Sequence, residues 1–213
     1  MIRKATTKDL LAIGKVHSIC FPDSYITQLG KVCGQNDNNL LSRFYYEFMT
    51  DAPELFVVAD DEENGIVGFC MGYYMDRDNQ ISNFFRRNRI HIAFKTALLL
   101  LCLNRQTWKK IADRLKHKPN VNDWTIVSDK YEHIGNDLRG DLLSVCVLPE
   151  FRGKGYSQKL MEVYLDSMKN NGRKICLLSV LSENKAAINY YKRNGFFLYR
   201  TRGSIGHTYM KLL

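Results

Sequence analysis

No apolar run in this sequence approaches the roughly 18 residues that a membrane-spanning helix needs, and the stretch Met1-Ile2-Arg3-Lys4-Ala5-Thr6 holds no signal-peptide apolar core. A cytoplasmic location is therefore expected. The six cysteines (Cys20, Cys33, Cys70, Cys102, Cys146, Cys176) include no CxxC pair and have no histidine partner nearby. That argues against a zinc site and against a secreted disulfide scaffold, and no metal is expected. No internal repeat or low-complexity linker divides the chain. The phosphate-binding pattern GxxxxGK[ST] is absent too.

What is present is enough apolar material for a packed core: 45% of 213 residues are hydrophobic and 12% aromatic. One domain over 1–213 is expected, with 76–122 as an insertion. The net charge of +9 is concentrated. Between 77 and 118 there are eleven Lys/Arg against two acids, Asp78 and Asp113, so this segment alone holds the excess. A nucleic-acid surface more often spreads its charge over the fold, and aromatics for base stacking are few here (Phe84, Phe85, Trp108). Nucleic acid is not an expected partner.

Residues 2–5 read as a first strand. Thr6-Thr7-Lys8-Asp9 then resembles a capping box, opening a helix with Leu10, Ile13 and His17 on one stripe. A second helix is expected near 38–49, where Leu40, Leu41, Phe44, Tyr45 and Phe48 recur at helical spacing. Residues 55–59 and 66–75, joined by an acidic turn, form a hairpin pattern. The insertion follows, strongly apolar over 90–103. A helical stripe of Trp108, Ile111, Ala112 and Leu115 comes next, backed by Lys109, Lys110, Arg114 and Lys116, and it ends at Pro119. Further on, strands are expected at 141–147 and 174–180, helices near 157–169 and 184–194, and a closing hairpin at 196–200 and 207–212. Strands separated by helices define an α/β domain.

The chemistry is centred on Arg152-Gly153-Lys154-Gly155-Tyr156-Ser157, a glycine loop between a strand and a helix. Unpaired amides in the first helical turn, glycines that admit close approach and two cations make an anion cradle. The bare spacing fits an ordinary surface turn as well. It is a poor dinucleotide fingerprint, because the third glycine and the ribose-binding acid are missing.

In context, Leu142-Leu143-Ser144-Val145-Cys146-Val147-Leu148-Pro149-Glu150-Phe151-Arg152-Gly153-Lys154-Gly155-Tyr156-Ser157 closely resembles the cofactor motif of the GNAT N-acetyltransferases. About forty residues on, Asn184-Lys185-Ala186-Ala187-Ile188-Asn189-Tyr190-Tyr191-Lys192-Arg193-Asn194-Gly195-Phe196 resembles that family's second signature. The resemblance covers all but the insertion. It implies a mixed, mostly antiparallel central sheet flanked by helices, with splayed central strands and a helical insertion after the third strand.

The resemblance also implies the transfer of an acetyl group from acetyl-CoA to a primary amine by direct attack. The pyrophosphate would lie on the backbone of Gly153, Lys154, Gly155, Tyr156, Ser157 and Gln158, beside Arg152. The pantetheine arm would pair with Val145, Cys146 and Val147. Asn184 would contact the cofactor, and Tyr191 would protonate the departing thiolate, unless it is only an aromatic packed beside Tyr190. Ser157 stands where the family usually has glycine or alanine, and Ser179 where some relatives have a basic glutamate. The general base is thus open. Asp141 is the first candidate, although it also fits as the end of an Arg139-Gly140-Asp141 turn. Glu183, His133 and His207 follow.

A small-molecule amine is the expected acceptor. Residues 21–30 and the basic, Leu-rich insertion resemble a subgroup acting on amino sugars, nucleotide- or lipid-linked. A protein or polyamine acceptor is the alternative, and a non-catalytic acyl-CoA-binding or membrane-associated module a third reading. For the insertion three readings stand open: packing on the core or on a second subunit as a homodimer, peripheral contact with an anionic membrane through 77–118, and binding of a phosphorylated substrate. The membrane reading would place the protein at the inner face of the membrane.

Overall fold

The computed structural model describes residues 1–31, 38–77, 80–102, 124–127, 130–202 and 206–213. Its strands are β1 (Ile2–Lys4), β2 (Phe56–Asp61), β3 (Gly65–Tyr74), β4 (Trp124–Ile126), β5 (Arg139–Val147), β6 (Ile175–Leu181), β7 (Phe197–Arg202) and β8 (Gly206–Leu212). The helices are α1 (Leu10–Cys20), α2 (Tyr25–Gly30), α3 (Asn38–Asp51), α4 (Gln80–Arg87), α5 (Arg89–Cys102), α6 (Tyr156–Asn170) and α7 (Lys185–Arg193).

The strands join in one sheet of order β1-β2-β3-β5-β6-β8-β7-β4. Among the described strands only β5 and β6 run parallel. Alternation along the strands sends side chains to two cores. Val57, Ala59, Cys70 and Leu142 meet α6 on one face. Phe56, Val58, Phe69 and Met71 meet α1 and α3 on the other. On α6, Leu160, Met161, Tyr164, Leu165 and Met168 are buried, the i, i+4, i+8 stripe of a helix laid on a sheet. Each such burial is worth about 1.5–3 kcal/mol.

Two features differ from the sequence reading. The segment 21–30 is not all loop: Ser24 accepts a hydrogen bond from the Thr27 amide (3.2 Å) and caps the short helix α2. A three-residue strand, β4, also pairs with β7 at the sheet edge, too short to leave a period in the sequence. The expected capping box is present, with the Thr6 amide and hydroxyl both donating to Asp9 Oδ2 (2.7 and 2.8 Å). The closing hairpin pairs within the chain, and β8 lies between β6 and β7. Trp108, Ile111, Ala112, Leu115 and the cations beside them, Pro119 and Cys33 lie outside the described residues.

The splay is visible in the registers. β5 pairs with β6 from Arg139↔Ile175 to Leu142↔Leu178 and no further, although β5 continues to Val147. At that point the register with β3 slips, from Gly72↔Leu142 to Met71↔Ser144, leaving Leu143 as an extra residue. A bulge increases local twist and bends its strand, so β5 turns away from β6 and opens a gap. Gly72 opposes the bulge. A Cβ there would run into the Tyr164 hydroxyl and the Asp141 carbonyl.

Candidate active site

A cleft of about 460 Å³ occupies this gap. β5 supplies Val145, Cys146 and Val147, the glycine loop and α6 supply Arg152, Gly153, Tyr156 and Ser157, and α7 supplies Asn184 and Tyr191. Nine residues singled out in the sequence thus meet in one place. The cleft also takes Cys20 and Phe21 from the end of α1, together with Phe151, Ala186, Ala187 and Tyr190. Cys20 and Phe21 had one local signal, the helix stop at Phe21-Pro22, which does not say what the stop faces.

Gly153 and Gly155 have φ of +78° and +82°, and a Cβ on either would meet nothing within 4 Å. Glycine is needed there for its left-handed backbone, and the space in front of both is open. Gly155 caps α6. The first helical hydrogen bond nearby runs from the Lys159 amide to the Gly155 carbonyl (3.1 Å). The amides of Tyr156, Ser157 and Gln158 precede it, in the turn where helix donors are free to bind an anion. The turn is pinned from both sides. The Tyr156 hydroxyl donates to Asp61 Oδ2 (2.8 Å), and the Tyr190 hydroxyl donates to the Ser157 carbonyl (2.7 Å).

Three residues of the loop and helix stand beside the cleft rather than in its lining. The Lys154 ammonium sits over the Phe151 ring at 4.6 Å, Gly155 turns the chain, and the Gln158 side chain donates to Glu162 Oε1 (3.0 Å). Arg152 Nε donates to the Val147 carbonyl (3.2 Å), as does the Cys20 thiol (3.5 Å). Cys20 has its pKa lowered by a hydrogen bond with Cys146 and by the Arg152 charge. Burial drives the Cys146 thiol up. The Asn184 side-chain oxygen caps α7 by accepting from the Ala187 amide (3.1 Å).

Tyr191 is half-buried between Tyr190 and Phe196, with ring centroids 5.5 and 5.9 Å away. Its hydroxyl makes no hydrogen bond among the described residues. Burial pushes its pKa well above the ordinary value, and neighbouring thiols push the same way, so the phenol keeps its proton at neutral pH.

Asp141 does not line the cleft. It lies on β5 opposite Tyr73 and Leu177. Cross-strand partners share a face, and Phe69 and Met71 with their partners Cys146 and Ser144 mark this one as the face covered by α1 and α3. Burial lifts its carboxyl to about 7. Asp141 thus sits two residues before the bulge, across the sheet from α6. Ser179 stands in register with Thr208 on the same side. Glu183 is exposed, His133 lies in an exposed turn, and His207 has a buried Nδ1 without a partner among the described residues. Among the described residues no group of His, Cys, Asp and Glu is arranged to hold a metal.

Residues 125–196 match the acetyltransferase (GNAT) family. N-alpha-acetyltransferase 30 of Schizosaccharomyces pombe is 38% identical over 68 residues, covering 32% of this chain and 45% of that protein. The chain spans less than half the length of the curated relatives it matches. Among solved structures, the NatC complex bound to Gag peptide and CoA superposes with a TM-score of 0.54 at 15% identity, covering 100% of this chain and 98% of that one. yncA of Salmonella typhimurium, solved with its cofactor acetyl-CoA, gives 0.50 at 16% identity, with 100% and 92% covered. At such identities these superpositions show the fold.

Proposed function

We propose that the chain is an acetyl-CoA-dependent N-acetyltransferase of the GNAT type acting on a primary amine, a reading supported by the family match over residues 125–196. The observation that carries this is the cleft itself, where an anion cradle, an unpaired strand edge and a protonated phenol converge. The residues fit an acyl-CoA. Open space in front of Gly153 and Gly155, with the free first-turn amides of α6 and the Arg152 guanidinium, suits a pyrophosphate. On the side towards β6, the β5 edge at Val145, Cys146 and Val147 has no strand beside it among the described residues and suits an amide-bearing arm. When bound, the thioester supplies an activated acyl group to the amine and releases a thiol.

The protein's task is then alignment and proton management. An ammonium cannot attack, so a base takes its proton first. Asp141, with a carboxyl near 7 and a place beside the bulge but outside the cleft lining, is the base in this reading and takes the proton through a water chain. Tyr191, held protonated by burial, returns a proton to the leaving sulfur. Capping by Asn184 fixes the start of α7, and Tyr190 ties that helix to the cradle.

Two acceptor classes have an observation each. The 21–30 segment and the basic insertion, which resemble an amino-sugar subgroup, suggest an amino sugar. The relatives, one named an N-alpha-acetyltransferase and one solved with a peptide, favour a polypeptide α-amine. Titration calorimetry on the reduced protein with acetyl-CoA and desulfo-CoA tests the core of the proposal, and micromolar binding of both is expected. Thiol release is then measured with amino-sugar nucleotides, peptides bearing free N-termini and polyamines. Absence of binding by a folded sample overturns the cofactor assignment. Binding without thiol release from any amine turns the reading to a non-catalytic acyl-CoA module.

A further inference from the structure

Helix α5 is apolar on two opposite sides. Its inner side carries Ile92, buried in the core below α1 and α3, and Leu99, packed against that core. Its outer side carries Ile90, Phe94, Ala97 and Leu101, at the i, i+4, i+7, i+11 spacing of one stripe. At about 100° per residue these four fall within roughly 60° of arc, facing away from the inner pair. Ile90, Phe94 and Leu101 are 79%, 62% and 82% exposed. An apolar helix face calls for a low-dielectric setting, and the core of this fold covers only one of the two.

The charge around the outer stripe has one sign. Residues 80–102 contain Arg86, Arg87, Arg89 and Lys95 and neither Asp nor Glu. Arg87 is paired with Glu47 (2.7 Å), and among the described residues no carboxylate pairs with Arg86 or Arg89. At the corner between α4 and α5, a cleft of about 460 Å³ gathers Arg86, Arg87, Arg89 and His91 around Ile90 and Phe94. Cations therefore converge where the apolar stripe begins.

We propose that this outer face of α5 is a membrane-docking surface for anionic phospholipid, with the stripe set among acyl chains and the arginines at the phosphates. An exposed apolar stripe flanked by Arg86 and Arg89, neither of which has a carboxylate partner among the described residues, is complementary to an anionic interface. With 14 residues, α5 is about 21 Å long. It lies along the surface, and no described helix is long and apolar enough to cross a membrane. The Tyr25 hydroxyl and Thr96 Oγ1 share a hydrogen bond (2.7 Å), and Tyr25 stacks on Phe85 (6.3 Å). Docking through α5 thus brings the 21–30 segment against the lipid surface. The inference does not depend on the acyl-transfer reading.

The test is co-sedimentation of the full chain with vesicles of phosphatidylglycerol and phosphatidylcholine, and with pure phosphatidylcholine. Binding to the anionic vesicles alone, weakening as salt is raised, is expected. Phe94→Glu with Leu101→Glu should abolish it. Arg86→Ala with Arg89→Ala should weaken it roughly thirtyfold, about fivefold per cation near an anionic surface. All of these substitutions lie outside the acyl-CoA cleft, and unchanged circular dichroism serves as the folding control. Equal binding of the wild type to both vesicle types overturns the proposal. So does a wild type that stays in the supernatant; dissolution of a dimer by Phe94→Glu would then assign the face to a second copy of the chain.

Discussion

Tyr191 and Asp141 are opposite cases of one physical cause. Burial disfavours the charged form of each, which keeps the phenol protonated well above neutrality and brings the carboxyl up to about 7. A donor that holds its proton and a carboxylate poised near the working pH are what transfer from an amine to a thiolate requires. In the pH profile of kcat/KM for the amine, an ionisation near 7 should appear, with activity lost below it as Asp141 is protonated. Asp141→Asn should remove that limb along with most of the rate. Tyr191→Phe should retain the limb and lower kcat with little change in cofactor affinity. A limb that persists in Asp141→Asn returns the carboxyl to the role of a strand-start residue. Both residues were legible as candidates, because chain order placed them beside the two signatures. That Asp141 faces α1 and α3 while Tyr191 faces the cleft was not, because facing depends on the bulge at Leu143.

At the scale of elements, α6 and its entry loop carry the cofactor argument. Gly155 has a positive φ with open space in front of it, and so does Gly172 (φ +76°) at the other end of the helix. A β-branched residue in either place costs about 1–2 kcal/mol in backbone strain. Gly155→Val and Gly172→Val should therefore lower stability by similar amounts in urea melts. Only Gly155→Val should reduce acetyl-CoA affinity, by tenfold or more in calorimetry. Equal affinities in the two variants would mean that the loop is only a turn. The glycine loop was readable because a left-handed cap leaves its mark in three or four consecutive residues. β4 and α2 were not, since three residues and a single capped turn establish no period.

For the molecule as a whole, a buried hydrogen-bond chain ties helices to one another. His17 Nδ1 and the Tyr45 hydroxyl share a hydrogen bond, and His17 Nε2 lies 2.9 Å from Ser24 Oγ. The chain joins α1, α2 and α3, and the Tyr45 ring meets the sheet edge-on at Phe69 of β3 (centroids 5.2 Å apart). Burial lowers the His17 pKa to about 4, against an ordinary value of 6.5. Between those values the unfolded chain binds the extra proton, so this part of the stability is complete above 6.5 and is lost as pH falls towards 4. The slope approaches about 1.4 kcal/mol per pH unit. Asp141 titrates with the opposite sign over part of this range, so the measurement is the difference between wild type and His17→Gln in urea melts. A difference that shrinks as pH falls from 7 to 4.5 is expected, and a constant one assigns His17 to packing alone.

The sequence by itself determined the resemblance of its two signatures to one family, the order of the longer strands and helices, the glycine cradle and the location of the excess charge. Each is written in neighbours along the chain: a period of 2 or 3.6, a cap, a glycine where φ is positive. Only the tertiary structure decided that β5 and β6 part after Leu142 and Leu178, that Cys20 and Phe21 close the cleft 120 residues away from β5 in sequence, and that the second apolar side of α5 faces outward. Those outcomes depend on pairing and packing between segments far apart in the chain, where a one-residue slip such as the bulge at Leu143 changes what each side chain meets.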